Sequence, residues 1–484
     1  MIELLKSILF YHPEEPLMFN SFLFMFLFAL VLTVYASIYR NALSRTLFLL
    51  AFSLFFYYKS SGSFVLLLLG TLVMVYILTW MMSGCEGKWR KGFLIGNIVV
   101  VLGVLAYFKY ANFFYENWCM ITRGQFRALD ILLPVGISFY SFQLLSYAID
   151  VYRKEIDHEK NFLNYAFYIT FFPQLVAGPI VRAKNFLPQL RKPVRIRKDE
   201  IEKGAFLVMQ GLFKKAVIAD YLAQYNDLVF GNPGGYSGCA TLFAIYGYAI
   251  QIYCDFSGYT DMAIGMGKMM GFDLGVNFNK PYQSTSLTDF WRRWHISLSS
   301  WLRDYLYIPL GGNRKGKIRT YVNLFLTMLI GGLWHGANWK FVFWGGMHGA
   351  GLAVDKIWRK KTNGRYEGKW YFKVLGWFIT IHFVVLLWVF FRADSFATAL
   401  TMIGHVFVPS EVPLHAFLDA RPLFVTLLAV SVAIHAIPSS QFPKVENWYV
   451  NTPFWVKAIG FILLIQLCLQ LQSAEVQPFI YFQF

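Results

Sequence analysis

The chain has 484 residues, of which 57% are hydrophobic, 19% aromatic and only 15% charged, and its formal net charge is +17 at pH 7. So apolar a composition excludes an ordinary soluble domain and is typical of a protein that crosses a membrane several times. The positive charge does not indicate nucleic acid, because the basic residues fall in short loops between apolar runs, as they do on the cytoplasmic side of membrane proteins. We therefore predict an all-α, polytopic membrane protein with no nucleic-acid partner.

Apolar runs recur along the whole chain, and several are long enough to cross a hydrocarbon layer of about 30 Å. They cover residues 17–35, 64–82, 93–113, 242–266, 322–334, 341–354, 372–391, 422–437 and 454–471. With shorter runs added, we expect about ten to twelve transmembrane helices in one integral domain over residues 1–484. The membrane lipid is the expected surrounding of these helices.

Two segments differ from plain spans. Residues 171–182 carry Pro173, Gly178 and Pro179, which a straight helix does not tolerate, and basic residues lie on both sides; we predict a re-entrant segment. Lys214 and Lys215 lie in an otherwise apolar stretch. A lysine pair is costly at the bilayer centre, so we predict an interfacial helix whose ammonium groups reach the surface.

Two aspartates, Asp255 and Asp261, stand six residues apart in an apolar stretch. A carboxylate at membrane depth is paired, protonated or functional. We assign both to structural pairing, with partners such as Arg292, Arg293 or Arg303, and keep direct chemistry as the alternative.

The first of two notable histidines is His295. Ser286 and Asp289 have the spacing of a helix capping box, so we expect a helix to begin there. On one continuous helix a single face would carry Trp291, Trp294, His295, Leu298 and Leu302. Basic residues bracket the segment, so we expect it to enter from the cytosol. His295 then positions substrate or holds structure, and the pattern leaves both open.

The second histidine is His335. The apolar run that starts at Thr320 rises about 24 Å before it reaches His335 at 1.5 Å per residue. Gly336 follows, and the chain then returns through residues 341–354. We predict a hairpin with His335 at its outward apex, where glycines allow close approach. A neutral imidazole is well suited to take a proton from a hydroxyl and return it to a leaving group, so His335 is the predicted catalytic residue.

Six segments together resemble the membrane-bound O-acyltransferase family, most closely its branch of alginate and peptidoglycan O-acetylation subunits. They are DFWRRWHISLSSWLRDYLYIPLGGNRKG (289–316), GGLWHGANWKFVFWGGMHG (331–349), PVGISFYSFQ (134–143), FFPQLVAGPI (171–180), YCDFSGYTDMAIGMG (253–267) and FFRADSF (390–396). The branch that moves D-alanine to teichoic acids is similar in fold, but the form WLRDYLYIPLGGN and the chain length favour the acetylation branch.

The resemblance implies a helical bundle in which cytoplasmic and external cavities meet at a histidine in a tunnel. His335 matches the family's catalytic histidine, and His295 matches a second polar position. We expect Trp294, Trp334, Asn338, Arg303 and Asp304 to line the tunnel or position substrate.

The resemblance also implies partners and a location. The expected donor substrate is acetyl-CoA or another acyl-CoA, with no bound cofactor. An external SGNH-type transferase would complete delivery to an extracytoplasmic polysaccharide such as alginate, a cellulose-like exopolysaccharide or peptidoglycan. The expected location is the bacterial cytoplasmic membrane.

The C-terminal residues 473–484 form a short aromatic segment that loop charges place outside the cell. Related systems acylate a tyrosine in such a segment, so Tyr481 is the candidate acyl acceptor; the alternative is an aromatic interfacial anchor.

The five cysteines show no ligand spacing, and we predict no metal site. A second function class is a transporter with His295, His335, Asp255 and Asp261 along its path, although no repeat between the halves supports it.

Overall fold

The computed structural model describes residues 8–14, 16–176, 178–363, 368–410 and 412–471, and every regular element in these ranges is helical. The predicted all-α class is therefore confirmed for this part of the chain. The chain divides into two compact units, Met1–Val208 with Met262–Gly275, and Met209–Asp261 with Val276–Phe484. That residues 1–484 act as one integral domain stays a prediction.

The first unit is built from the N-terminal helices. They are α1 (Phe22–Ile38), α2 (Ala42–Ser61), α3 (Phe64–Ser83), α4 (Gly87–Leu105), α5 (Ala111–Thr122), α6 (Ile137–Tyr152), α7 (Phe162–Thr170), α8 (Phe172–Leu175), α9 (Ala183–Arg191) and α10 (Lys198–Leu212), whose last residues belong to the second unit. A π-helical turn, Ala106–Tyr110, joins α4 to α5.

The predicted proline-rich break lies in this unit. Helix α7 ends at Thr170, and Pro173 stands in the first turn of α8, where a missing N–H costs nothing. A Cβ added at Gly178 would lie 2.4 Å from the Pro173 carbonyl oxygen, so only glycine fits this fold-back. The break is confirmed, while its re-entrant position in a membrane stays a prediction.

The second unit carries the remaining helices. They are α11 (Asp220–Gly231), α12 (Gly238–Met269), α13 (Leu287–Arg293), α14 (Ile296–Leu302), α15 (Lys317–His335), α16 (Trp339–Thr362), α17 (Trp370–Arg392), α18 (Phe396–His405), α19 (Leu414–Ala420), α20 (Pro422–Ala436), α21 (Phe442–Asn451) and α22 (Phe454–Leu471). The C-terminal end of α12 belongs to the first unit. Two π-helical turns, Phe213–Ala219 and Arg303–Tyr307, precede α11 and follow α14.

In the described ranges, four helices are long and apolar enough to cross a membrane: α3, the combined Gly87–Thr122, α17 and α22. A fifth crossing results if α19 and α20, bent by 95°, are counted as one. This count does not confirm ten to twelve crossings, which stay a prediction. Helix α12 contains both Asp255 and Asp261, away from its ends.

The prediction that both lysines reach the surface is wrong for Lys215, whereas the Lys214 side chain is 16% exposed, and the interfacial position of this segment in a membrane stays a prediction. Both lie in the π-helical turn Phe213–Ala219, and the Lys215 side chain is only 1% exposed. Its ammonium lies 2.6 Å from Asp255 and 2.7 Å from Asp220, so carboxylates inside the unit replace the water that a surface position would supply.

Candidate active site

The hairpin of α15 and α16 places His335 by close backbone packing. A Cβ added at Gly332 would lie 2.2 Å from the Phe341 carbonyl oxygen, and one added at Gly345 would lie 2.3 Å from the Met328 carbonyl oxygen. At both positions the obstacle is backbone, which does not move aside as a side chain does. The predicted hairpin is confirmed, and glycines hold its two helices in direct contact near the apex.

His335 is the last residue of α15 and is 3% exposed. Aromatic rings surround its imidazole: the ring centroids of Trp334, Trp344 and Phe391 lie 5.0, 5.1 and 5.4 Å away. We call these three rings the aromatic cage. Rings of this kind exclude water while they leave an imidazole able to exchange a proton with a bound reactant.

His295 is held differently, and the predicted continuous helix is wrong. The capping box is confirmed, since the Ser286 hydroxyl accepts from the Asp289 backbone N–H at 3.2 Å and α13 begins at Leu287. The helix then stops at Arg293, and His295 takes a left-handed conformation with φ of 44° and ψ of 55° before α14 starts. A non-glycine residue there is strained by about 1 kcal/mol or more and persists only where its surroundings enforce it.

Asn277 supplies that enforcement. Its side-chain oxygen, Oδ1, accepts from the Ser297 backbone N–H at 3.1 Å and from the Ser297 hydroxyl at 2.9 Å. The same oxygen lies 3.2 Å from Nδ1 of His295. Because an amide oxygen only accepts, the proton of a neutral His295 ring is on Nδ1, and the lone pair is on Nε2. Both Asn277 and His295 are fully buried.

Trp334 connects the two predicted histidines. Its ring centroid lies 6.3 Å from that of His295 and 5.0 Å from that of His335. Trp294 joins the same assembly, since its ring lies 4.9 Å from Trp388, which stacks on Trp344 at 5.6 Å. The structure thus brings His295, His335, Trp294 and Trp334 into one buried aromatic region.

Other predicted site residues lie outside this region. Arg303 and Asp304 pair with each other at 2.6 Å in the turn after α14, with the Arg303 side chain 63% exposed. Asn338 is exposed in the hairpin turn, where its side chain accepts from the Lys340 backbone N–H at 3.0 Å and caps α16. Their roles toward substrate stay predictions. Tyr481 and the segment 473–484 lie outside the described residues.

The two aspartates form ion pairs, but with partners other than those predicted. Asp255 pairs with Lys215, and Asp261 with Lys214 at 2.6 Å, whereas Arg292, Arg293 and Arg303 were the expected partners. Arg293 instead pairs with Asp289 at 2.9 Å, and Arg303 with Asp304. Removing one partner of the buried Asp255–Lys215 pair costs about 3–5 kcal/mol, so Asp255 has a structural role.

Sequence reasoning missed His348. It is fully buried on α16, its ring centroid lies 4.6 Å from that of Trp344, and its Nδ1 accepts from the indole N–H of Trp291 at 3.3 Å. A neutral His348 therefore carries its proton on Nε2, the opposite tautomer to His295. The available signal was the spacing of four between Trp344 and His348, which places both on one helix face.

No group of three or more His, Cys, Asp or Glu residues in the described ranges is arranged to hold a metal ion. The polar groups of the buried region include imidazoles, indoles, the Asn277 amide and the hydroxyls of Ser297 and Tyr282, which suit proton transfer and hydrogen bonding to a neutral reactant.

Comparison with known proteins identifies the family to which this helical chain belongs. The sequence matches the membrane-bound O-acyltransferase family over residues 97–393, and the chain belongs to this family.

Relatives with assigned names extend the match over almost the whole chain. The chain is 39% identical to "Probable alginate O-acetylase AlgI" of Pseudomonas putida, over 97% of this chain and 100% of that protein. It is 34% identical to "Peptidoglycan O-acetyltransferase" of Helicobacter pylori, over 97% of this chain and 98% of that protein. A weaker similarity, 30% identity over 54% of this chain and 69% of the relative, links it to "Teichoic acid D-alanyltransferase" of Streptococcus thermophilus.

Proposed function

We propose that this membrane O-acyltransferase is an O-acetyltransferase that takes an acetyl group from cytoplasmic acetyl-CoA and passes it across the membrane for modification of an extracytoplasmic polysaccharide. The observation that carries the proposal is His335, buried in the aromatic cage at the apex of a glycine-packed hairpin, in a chain of this family. The names of two relatives, an alginate O-acetylase and a peptidoglycan O-acetyltransferase, support acetyl as the group and a polysaccharide as the acceptor.

In the proposed reaction His335 is the general base. Its imidazole takes the proton of an acceptor hydroxyl, whose oxygen attacks the thioester carbonyl carbon. The carbon–sulfur bond then breaks, and coenzyme A leaves as a thiol with the proton that His335 returns. The cage favours this chemistry because a water-poor site prevents hydrolysis of the thioester.

His295 is the proposed positioning residue on the donor side. Asn277 fixes its tautomer, so that Nε2 of a neutral ring presents a lone pair rather than a proton. The Trp334 ring contacts both His295 and His335. This arrangement fits a reactant that passes first His295 and then His335. The basic loops support a cytoplasmic entry for the donor.

The proposal includes a location and a partner. The apolar helices and the family place the chain in a membrane, and we propose the bacterial cytoplasmic membrane, where acetyl-CoA and an external polymer are on opposite sides. An external SGNH-type transferase would complete delivery to the polymer. Alginate, a cellulose-like polysaccharide and peptidoglycan are the candidate acceptors.

Purified protein with acetyl-labelled acetyl-CoA tests the function. We expect wild-type protein to release coenzyme A or to become labelled, and His335→Ala to reduce this by about 10²–10⁴-fold, the usual contribution of a general base. His415→Ala is the matched control, because His415 is an exposed histidine on α19. Equal rates for His335→Ala and wild type would reject His335 as the base, and solute flux without acyl transfer would favour a transporter.

Tyr481 is the proposed acceptor hydroxyl in the C-terminal segment. Tyr481→Phe retains an aromatic anchor and removes the hydroxyl, so we expect normal membrane insertion, loss of the label on the protein and loss of product acetylation. Label retention in Tyr481→Phe would reject this residue as the acceptor while it leaves the role of His335 intact.

A further inference from the structure

A cavity separate from the aromatic cage lies in the second unit between the turn Phe213–Ala219, α12, α20 and α21. Its volume is about 230 Å³, and its walls are mostly apolar, with Phe213, Ile250 and Ile434 among the lining residues. A cavity of this kind accommodates a hydrocarbon chain, since little of its lining is able to hydrogen-bond water.

Two ammonium groups line the same cavity. Lys214 pairs with Asp261, so its charge is largely compensated. Lys280 is 7% exposed, and its contacts are the Ile437 carbonyl oxygen and the Phe442 ring, 4.4 Å from the ammonium. Among the described residues no carboxylate lies within ion-pair distance of Lys280. The cavity therefore holds one positive charge in excess.

The backbone of Lys280 is held in an unusual conformation. Its φ of 45° and ψ of 62° are left-handed, and Pro281 follows at the start of the short helix Pro281–Gln283. Such conformations in non-glycine residues are uncommon and are concentrated at ligand clamps and other functional positions. Lys280 combines this conformation with a side chain that lines an apolar cavity.

The rim of the cavity consists of exposed apolar residues. Ile434 is 40% exposed, Ile437 42% and Val445 47%, and Trp448, on the next turn of α21, is 68% exposed. In a membrane protein such a surface faces lipid, and tryptophan prefers the level of the headgroups. A ligand that enters through this rim comes from the bilayer rather than from water.

We propose that this cavity binds an anionic phospholipid, with the phosphate at Lys280 and Lys214 and part of one acyl chain among the apolar walls. Basic pockets between transmembrane helices bind anionic headgroups in this manner. The test of this site measures lipid binding rather than acyl transfer, so it does not depend on the proposed function. The bound lipid would join α20 and α21 to the turn that carries Lys214.

Native mass spectrometry of the full-length protein in detergent tests this site. We expect wild type to retain one phosphatidylglycerol in preference to phosphatidylcholine with the same chains. Lys280→Gln should weaken phosphatidylglycerol binding about tenfold, because a charge-assisted hydrogen bond is lost, whereas Lys280→Arg should stay within about threefold. Lys444→Gln is the matched control, since Lys444 is an exposed cation on α21 that does not line the cavity.

A second variant tests the apolar part of the site. Ile434→Trp fills the rim and leaves both lysines in place, and we expect it to weaken phosphatidylglycerol binding as well. Equal retention of both lipids by wild type, or equal losses in Lys280→Gln and Lys444→Gln, would overturn the proposal. Displacement of the lipid by millimolar glycerol phosphate or by acetyl-CoA would also overturn it, because the cavity would then be a site for a soluble phosphate.

Discussion

The two histidines of the buried region are positioned by opposite means. His335 ends a regular helix, and its place depends on how closely two backbones approach at Gly332 and Gly345. His295 interrupts a helix, and its place depends on a strained backbone and on the side-chain oxygen of Asn277. The position of His335 should be sensitive to added side-chain volume at the glycines and insensitive to changes of side-chain polarity. The position of His295 should be sensitive to the loss of a polar side chain at Asn277 and less sensitive to volume.

This difference fits the roles that we propose for the two histidines. A base that must meet two reactants gains from a rigid support, since small displacements of a catalytic group reduce the rate strongly. Packed helices give that rigidity without polar groups that would compete for the proton. A residue that only positions a reactant is served by a hydrogen bond that fixes its tautomer, and Asn277 supplies such a bond.

The largest effect on stability is expected at the hairpin. Gly345→Ala places a Cβ 2.3 Å from the Met328 carbonyl oxygen, and the helices must separate, so we expect a loss of about 3 kcal/mol or more in the free energy of unfolding. Thermal unfolding monitored by size exclusion in detergent measures it. Gly346→Ala is the control, because its added Cβ would be 3.5 Å from the nearest atom, a ring carbon of Phe325. Similar losses in both variants would show that close approach is not what places His335.

An intermediate effect is expected at Asn277. Asn277→Ala removes an acceptor that serves two groups of Ser297 and the imidazole of His295, so we expect a loss of about 2 kcal/mol and reduced acyl transfer. Ser297→Ala removes one of these donors and should cost about 1 kcal/mol at most. If Asn277→Ala and Ser297→Ala lose equal amounts of unfolding free energy, the Asn277 amide does not enforce the break between α13 and α14.

The smallest effect separates backbone from side chain at His295. Asparagine tolerates the left-handed conformation and valine does not, so His295→Val should be less stable than His295→Asn by about 1 kcal/mol. Both variants lack the imidazole, and comparison of their acyl-transfer rates with wild type tests the positioning role. Wild-type activity in His295→Asn would assign His295 to structure alone.

The same contrast explains what the sequence could predict. The hairpin follows from local signals, which are an apolar run, glycines and a turn, and these signals predict His335 at its apex. The break at His295 has no local signal, because the apolar periodicity continues through it and the enforcing residue, Asn277, lies 18 positions earlier in an irregular segment. A strained conformation enforced from a distance is not visible in a helical pattern.

The lysine pair shows a second limit. Lys214 and Lys215 considered alone favour a surface position, and only their pairing with Asp261 and Asp255 makes burial possible. Two cations and two carboxylates in separate apolar stretches were the available signal. The partners lie 47 and 40 residues apart along the chain, so no local pattern in the sequence links them.

The triad of Lys215, Asp220 and Asp255 also imposes an order on biosynthesis. Asp220 is made immediately after Lys215, but Asp255 follows 40 residues later. Until α12 has been synthesised, Asp255 is not available to the Lys215 ammonium. Removal of water from this ammonium is then costly, because its charge is not fully compensated. We therefore expect the emerging chain to keep this turn in contact with water until α12 is available to pair with Lys215.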